Sequence, residues 1–137
     1  MTAGELDAMV EQNIFGCRPQ RKLLGCEYEC GCTDAESLEG HNDPERVGKN
    51  WSTVYRLRRR STDQRAAWAV VEAMVARGWI WTARQAAANS PVIVSFKQPS
   101  APDESQPGAM PVGASAPTFP EAVCRAALAA LGVEVPA

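Results

Sequence analysis

The chain has 137 residues, 45% hydrophobic and 22% charged, with a formal net charge of -2 and a pI near 5.4. These values fit a single domain over 1–137 with its own core, and they exclude wholesale disorder. They also exclude the strongly basic balance of a general nucleic-acid binder, and no run approaches the ~20 apolar residues that span a bilayer.

The charge is uneven. Residues 1–50 hold 10 acidic and 5 basic side chains, whereas 51–137 hold 6 acidic and 9 basic. The first residues, Met-Thr-Ala-Gly-Glu-Leu-Asp, are acidic and lead into no apolar core, so no secretory signal is expected. The expected compartment is the cytoplasm, where thiols stay reduced. Five cysteines there point to metal or packing before disulfides.

In chain order, residues 2–15 read as an amphipathic helix. Thr2 and Glu5 have capping-box spacing, Leu6, Met9, Val10 and Ile14 share one face, and Gly16 stops it. Residues 17–50 break the pattern. They are rich in cysteine, glycine and acids and poor in apolar residues, and so read as an irregular excursion outside the core. Residues 51–57 alternate with period two, which predicts a strand. A second helix is expected at about 62–77, capped by Ser61 with Gln64. Its core stripe is Trp68, Val71 and Val75, widened by Ala67 and Met74, and Gly78 closes it.

Trp79–Ala83 and Val92–Lys97 read as strands joined in a hairpin. Five prolines punctuate 98–118, the signature of a loop, with a short edge strand at Val112–Ser115 inside it. A last helix begins at Thr118, with Glu121 completing a third capping box. Val123, Ala126, Ala127, Ala130 and Leu131 face inward and Gly132 ends it. Three helices and three or four short strands give an α+β class with an antiparallel sheet covered by helices.

Two segments carry a resemblance. One is Ser61-Thr-Asp-Gln-Arg-Ala-Ala-Trp-Ala-Val-Val-Glu followed by a Gly-Trp strand start. The other is Ala116-Pro-Thr-Phe-Pro-Glu-Ala-Val-Cys-Arg-Ala-Ala-Leu. With Leu6-Asp-Ala-Met-Val near the start, the chain resembles the phage ABA sandwich domain family of small bacteriophage and prophage proteins. The resemblance implies a three-layer helix–sheet–helix sandwich and a phage origin, and it implies no activity. It says little of the Cys-rich segment. Within the matched segments, Ser61 reads as a cap, Trp68 as a core anchor and Cys124 as a buried packing thiol.

Three groups of residues could carry chemistry. Cys17, Cys26, Cys30 and Cys32, with His41 as a substitute ligand, have the donor types of a zinc site in a segment without its own core. The spacing Cys-x8-Cys-x3-Cys-x-Cys-x8-His departs from paired Cys-x-x-Cys knuckles, and unligated thiols in a loop are the alternative. Arg58, Arg59, Arg60, Ser61, Thr62 and Arg65 surround a helix start, where free amides and guanidinium forks hold anions. A charged edge that blocks strand pairing is the commoner use of such a run, and Asp63 already brings negative charge there. Trp51, Tyr55, Trp79 and Trp81 could stack a nucleobase, although strand aromatics more often serve the core. Trp81 is carried into the ligand set.

No nucleophile elbow, phosphate loop or dinucleotide fingerprint is present, so a non-enzymatic role is expected. The reading is a phage accessory protein that binds a small anionic or nucleotide ligand. The alternative is a zinc-stabilised module that docks a host or phage protein. A homodimer is compatible with the alanine-rich helices and short strand edges.

Overall fold

Ser and Thr before an apolar-periodic run, and Gly after it, place helix ends with little reference to the rest of the chain, and the first helix follows that rule. A computed structural model describes residues 1–21, 28–30, 42–47, 52–98 and 110–136, with 20–21, 28–30, 42–47 and 52–56 described by backbone. Helix α1 runs Ala3–Asn13. Its capping box is complete: the Glu5 amide donates to Thr2 Oγ1 at 3.2 Å, and the Thr2 amide donates to Glu5 Oε2 at 3.4 Å. Leu6, Val10 and Ile14 are buried as the periodicity predicts, and Asp7 and Glu11 are buried with them. Gly16 takes φ 72°, a left-handed value that glycine reaches without a Cβ penalty.

The described chain divides into two compact units, Met1–Arg59 and Arg60–Ala137. In the first, α1 packs on a four-stranded antiparallel sheet. Its strands are β1 (Pro19–Arg21), β2 (Tyr28–Cys30), β3 (Asn42–Val47) and β4 (Ser52–Leu57), in the order β1-β2-β4-β3. Strand β4 matches the alternation at 51–57. The other three fall where an irregular excursion is expected, which corrects that reading. Asn42-Asp-Pro-Glu-Arg-Val has no apolar alternation to announce a strand. It pairs instead through backbone bonds along the whole of β4, from Asn42 opposite Leu57 to Val47 opposite Ser52. Pro44 is tolerated because β3 is at a sheet edge, where a missing ladder donor costs least.

The second unit holds α2 (Gln64–Ala76), β5 (Ile80–Arg84), β6 (Val92–Lys97), β7 (Val112–Ala116) and α3 (Phe119–Ala130). Among the described residues the chain thus has three helices, and this unit adds a three-stranded antiparallel sheet in an α+β arrangement. The order is β5-β6-β7, with Ile80 opposite Lys97 and Val92 opposite Ala116. The expected hairpin is present, and Val112–Ala116 is the expected edge strand. The loop at 85–91 is pinned by the Gln85 side-chain amide, which donates to the carbonyls of Ala88 (3.2 Å) and Ser90 (2.8 Å).

Alternation sends Val94 and Phe96 of β6 inward, where both are fully buried. Helix α3 covers β6 and β7 and also packs against α2, which reaches β5. The helical contribution to the core is Ala67, Val70, Val71 and Met74 from α2, with Val123, Ala126, Ala127 and Leu128 from α3. The alanines of α3 carry little bulk, so its backbone can approach the sheet and the neighbouring helix. Cys124 is buried in this core outside any disulfide, as its packing reading requires.

Candidate functional site

The start of α2 differs from the expected cap, and that difference shapes the site. Asp63 is the N-cap, and its carboxylate accepts from the Ala66 amide at 3.1 Å. Ser61 lies two residues earlier in a turn and is 3% exposed, so the Ser61 and Gln64 capping box is corrected to an Asp63 cap. Arg60 folds back along the helix start. It is 1% exposed, and its Nη1 donates to the Ala66 carbonyl at 3.1 Å. A buried guanidinium in this position braces the turn and is withdrawn from any ligand in solvent. Arg58 (half-buried) and Arg59 (exposed) end the first unit; Thr62 and Arg65, in the second, are exposed.

The second correction concerns Trp68. The core stripe of α2 runs through Ala67, Val70, Val71 and Met74, spaced three and four apart, and Trp68 lies one residue off it. Trp68 is 45% exposed and Val75 48%. Trp68 therefore does not anchor the core. It meets half-buried Trp81 of β5 edge to face, with ring centroids 5.4 Å apart and planes at 88°. Trp81 in turn lies 6.3 Å from Phe119 at the first residue of α3, tilted by 56°. Trp79 is half-buried, Tyr55 lies in β4, and Trp51 lies outside the described residues.

Two surface clefts open beside this aromatic row. One, of about 510 Å³, is lined by Gln64, Arg65 and Trp68. The other, of about 550 Å³, lies where α2 and α3 both begin and is lined by Ser61, Thr62, Gln64, Thr118, Phe119, Pro120 and Glu121. Gln64 borders both. The Thr118 side chain makes no capping hydrogen bond, although Thr118 is the N-cap that the spacing predicts. Glu121 pairs with Arg125 at 3.5 Å, which offsets its charge at the cleft wall. Among the described lining residues of these two clefts, Arg65 is the cation.

The arrangement offers a planar surface at Trp68, a guanidinium beside it, an amide that can both donate and accept, and the starts of two helices, of which α2 is already capped by Asp63. Those are contacts for binding a planar, anionic molecule. A third hollow of about 530 Å³, between β7 and the C-terminal half of α3, is lined in part by Gly132, Val133, Glu134 and Val135, and Arg125 at its wall donates to the Pro136 carbonyl at 3.2 Å.

Of the proposed metal ligands, Cys17 is buried just after α1, and its amide donates to the Glu11 carbonyl at 2.9 Å. Cys30 is in β2 opposite Pro19, two residues from Cys17. Cys26, Cys32 and His41 lie outside the described residues. Among the described residues no group of three or more candidate ligands converges.

Sequence reasoning missed Trp68, Phe119 and Gln64 as site residues. The available signal for Trp68 was the Ala67–Val71–Met74 spacing, which already completes a core stripe without it. Phe119 carried no such signal, because only the packing of α3 brings it to Trp81.

No family model and no curated protein matches the chain. One solved structure does: a phage protein from Bacillus cereus ATCC 14579, at 17% identity and a TM-score of 0.59, covering 99% of this chain and 93% of that one. At that identity the likeness shows a fold shared with a phage protein. Among the described residues, no helix is long and apolar enough to cross a membrane.

Proposed function

We propose that this chain is a diverged phage or prophage accessory protein of the ABA sandwich kind, which binds a small anionic ligand, a nucleotide by preference, without transforming it. One observation carries the reading: an aromatic row, Trp68–Trp81–Phe119, opens to solvent at Trp68 next to Arg65 and at two helix starts. An exposed indole has a cost in water that stacking a base relieves, and base–aromatic stacking contributes about 1–3 kcal/mol. Arg65 supplies the bidentate donor for a phosphate. Gln64, between the clefts, reads the polar edge or the sugar. Within this reading Ser61 and Arg60 shape the helix start, and Arg65, Thr62 and the two tryptophans meet the ligand. The work is done in the cytoplasm of an infected or lysogenic host.

Calorimetry against a panel of mono- and dinucleotides tests it. Binding by at least one member should weaken roughly tenfold or more in Trp68→Ala and in Arg65→Ala, the size expected from one stacked base or one charged contact. A panel without heats of binding, or affinity untouched by both substitutions, ends the proposal.

A second reading has its own observation. The β1–β2 register sets Cys30 beside the strand that Cys17 leads into. A zinc site there, completed by Cys26 and Cys32 with His41 in reserve, would stiffen the segment as a docking surface for a host or phage protein.

A further inference from the structure

We infer that a second copy of this chain docks on the exposed face of α2, with the two helices antiparallel about an axis near Trp68. The face is built from Arg65, Trp68, Glu72 and Val75, all exposed. At 100° per residue they fall within one quadrant of the helix, opposite the buried Ala67, Val70 and Met74. Two large apolar side chains thus stand in water, each close to half exposed, on a helix whose other side is fully buried. Isolated apolar exposure needs no explanation; here the charges around it are what select the occupant.

Arg65 and Glu72 are two helical turns apart, about 10 Å along the axis, too far to pair within one helix. Among the described residues neither forms an ion pair. One positive and one negative end on a single stripe make it self-complementary. Turned about a twofold axis midway between them, the stripe sets Arg65 against the partner's Glu72, and the same contact repeats by symmetry. That axis falls at Trp68 and Ala69, so each Trp68 meets the other, and Val75 reaches the partner's turn at Thr62, just ahead of the helix. A parallel arrangement in register would put like charges together. The charges set the register and the indoles supply the apolar burial.

The inference does not depend on a ligand. It does bear on one: a nucleotide stacked on Trp68 occupies the same face, so bound ligand should favour the single chain.

Sedimentation equilibrium over a wide concentration range tests the inference. The average mass should rise from one chain towards two. Arg65→Glu and Glu72→Arg should each raise the dimer dissociation constant by about tenfold or more, because each sets like charges face to face twice. The double variant should restore it to within about threefold, since the same contact is remade with signs exchanged. Both positions are exposed and outside the core, and the circular dichroism spectrum of each variant should match that of the parent chain. A mass of one chain at every concentration overturns the inference. So does self-association indifferent to both single reversals, or a double variant as weak as the single ones. Each of these outcomes is independent of the nucleotide heats, so failure here and failure of the ligand reading are told apart.

Discussion

Trp68 and Trp81 meet edge to face at 5.4 Å, one from the outer flank of α2 and the other from edge strand β5. This contact ties helix to sheet at a point where the apolar core has already ended. The edge of one ring lies against the negative face of the other, the arrangement that the ring quadrupole favours. A double-mutant cycle in urea, with Trp68→Ala, Trp81→Ala and both, should give a coupling of about 1 kcal/mol. The single Trp68→Ala should cost less than the ~3–5 kcal/mol of a fully buried tryptophan, because nearly half of the ring is already in water. Coupling near zero would show that the rings do not touch in solution.

The two helices of the second unit begin with unequal caps. The Asp63 side chain accepts a backbone bond, and the Thr118 side chain makes no capping bond. Asp63→Ala should therefore cost about 1 kcal/mol in chemical denaturation, and Thr118→Ala clearly less. Equal costs would mean that Thr118 caps α3 in solution after all.

Neighbouring arginines should behave differently. Arg60 is buried and bonded to the Ala66 carbonyl, whereas Arg59 is exposed. Arg60→Ala should lose about 2 kcal/mol, the range for a hydrogen bond made by a charged group. Arg60→Lys should recover little, since an ammonium lacks the guanidinium fork. Arg59→Ala should leave the thermal midpoint unchanged. Similar losses at both positions would deny Arg60 its bracing role.

Gly113 is opposite Ser95 in the β6–β7 ladder. A Cβ there would stand 2.7 Å from Ser95 Oγ and 3.0 Å from the Val94 carbonyl oxygen. Gly113→Ala should cost about 1–3 kcal/mol as an overpacked position. Adding Ser95→Ala should return part of that and leave the backbone clash. A neutral Gly113→Ala would show that the edge strand gives way easily.

The zinc reading predicts close to one zinc per chain after purification without added metal, with release on thiol modification. Near-zero metal that added zinc does not raise, in protein whose thiols are reduced, removes it.

Much of the second unit was legible from residue order alone. Its helices, the hairpin and the edge strand follow from local rules: apolar spacing of three and four, alternation by two, and a glycine such as Gly78 or Gly132 at a left-handed helix end. Cys124 was readable in the same way, as a small apolar group on an inward face. What lay beyond reach depended on partners distant in the chain. Strand β3 exists because β4 offers it a backbone ladder, and backbone bonds leave no mark on side-chain pattern. Ser61 has the right identity and spacing for a cap. The chain turns there through a buried Arg60 and gives the role to Asp63, a choice made by burial and not by propensity. Trp68 is apolar enough for a core, yet four smaller residues fill the available space, and the indole is left on the surface, where Trp81 and Phe119 meet beside it. Residue type and spacing determined which segments would coil or extend. Only three-dimensional packing decided which of their side chains had room inside, and so which were left to form a site.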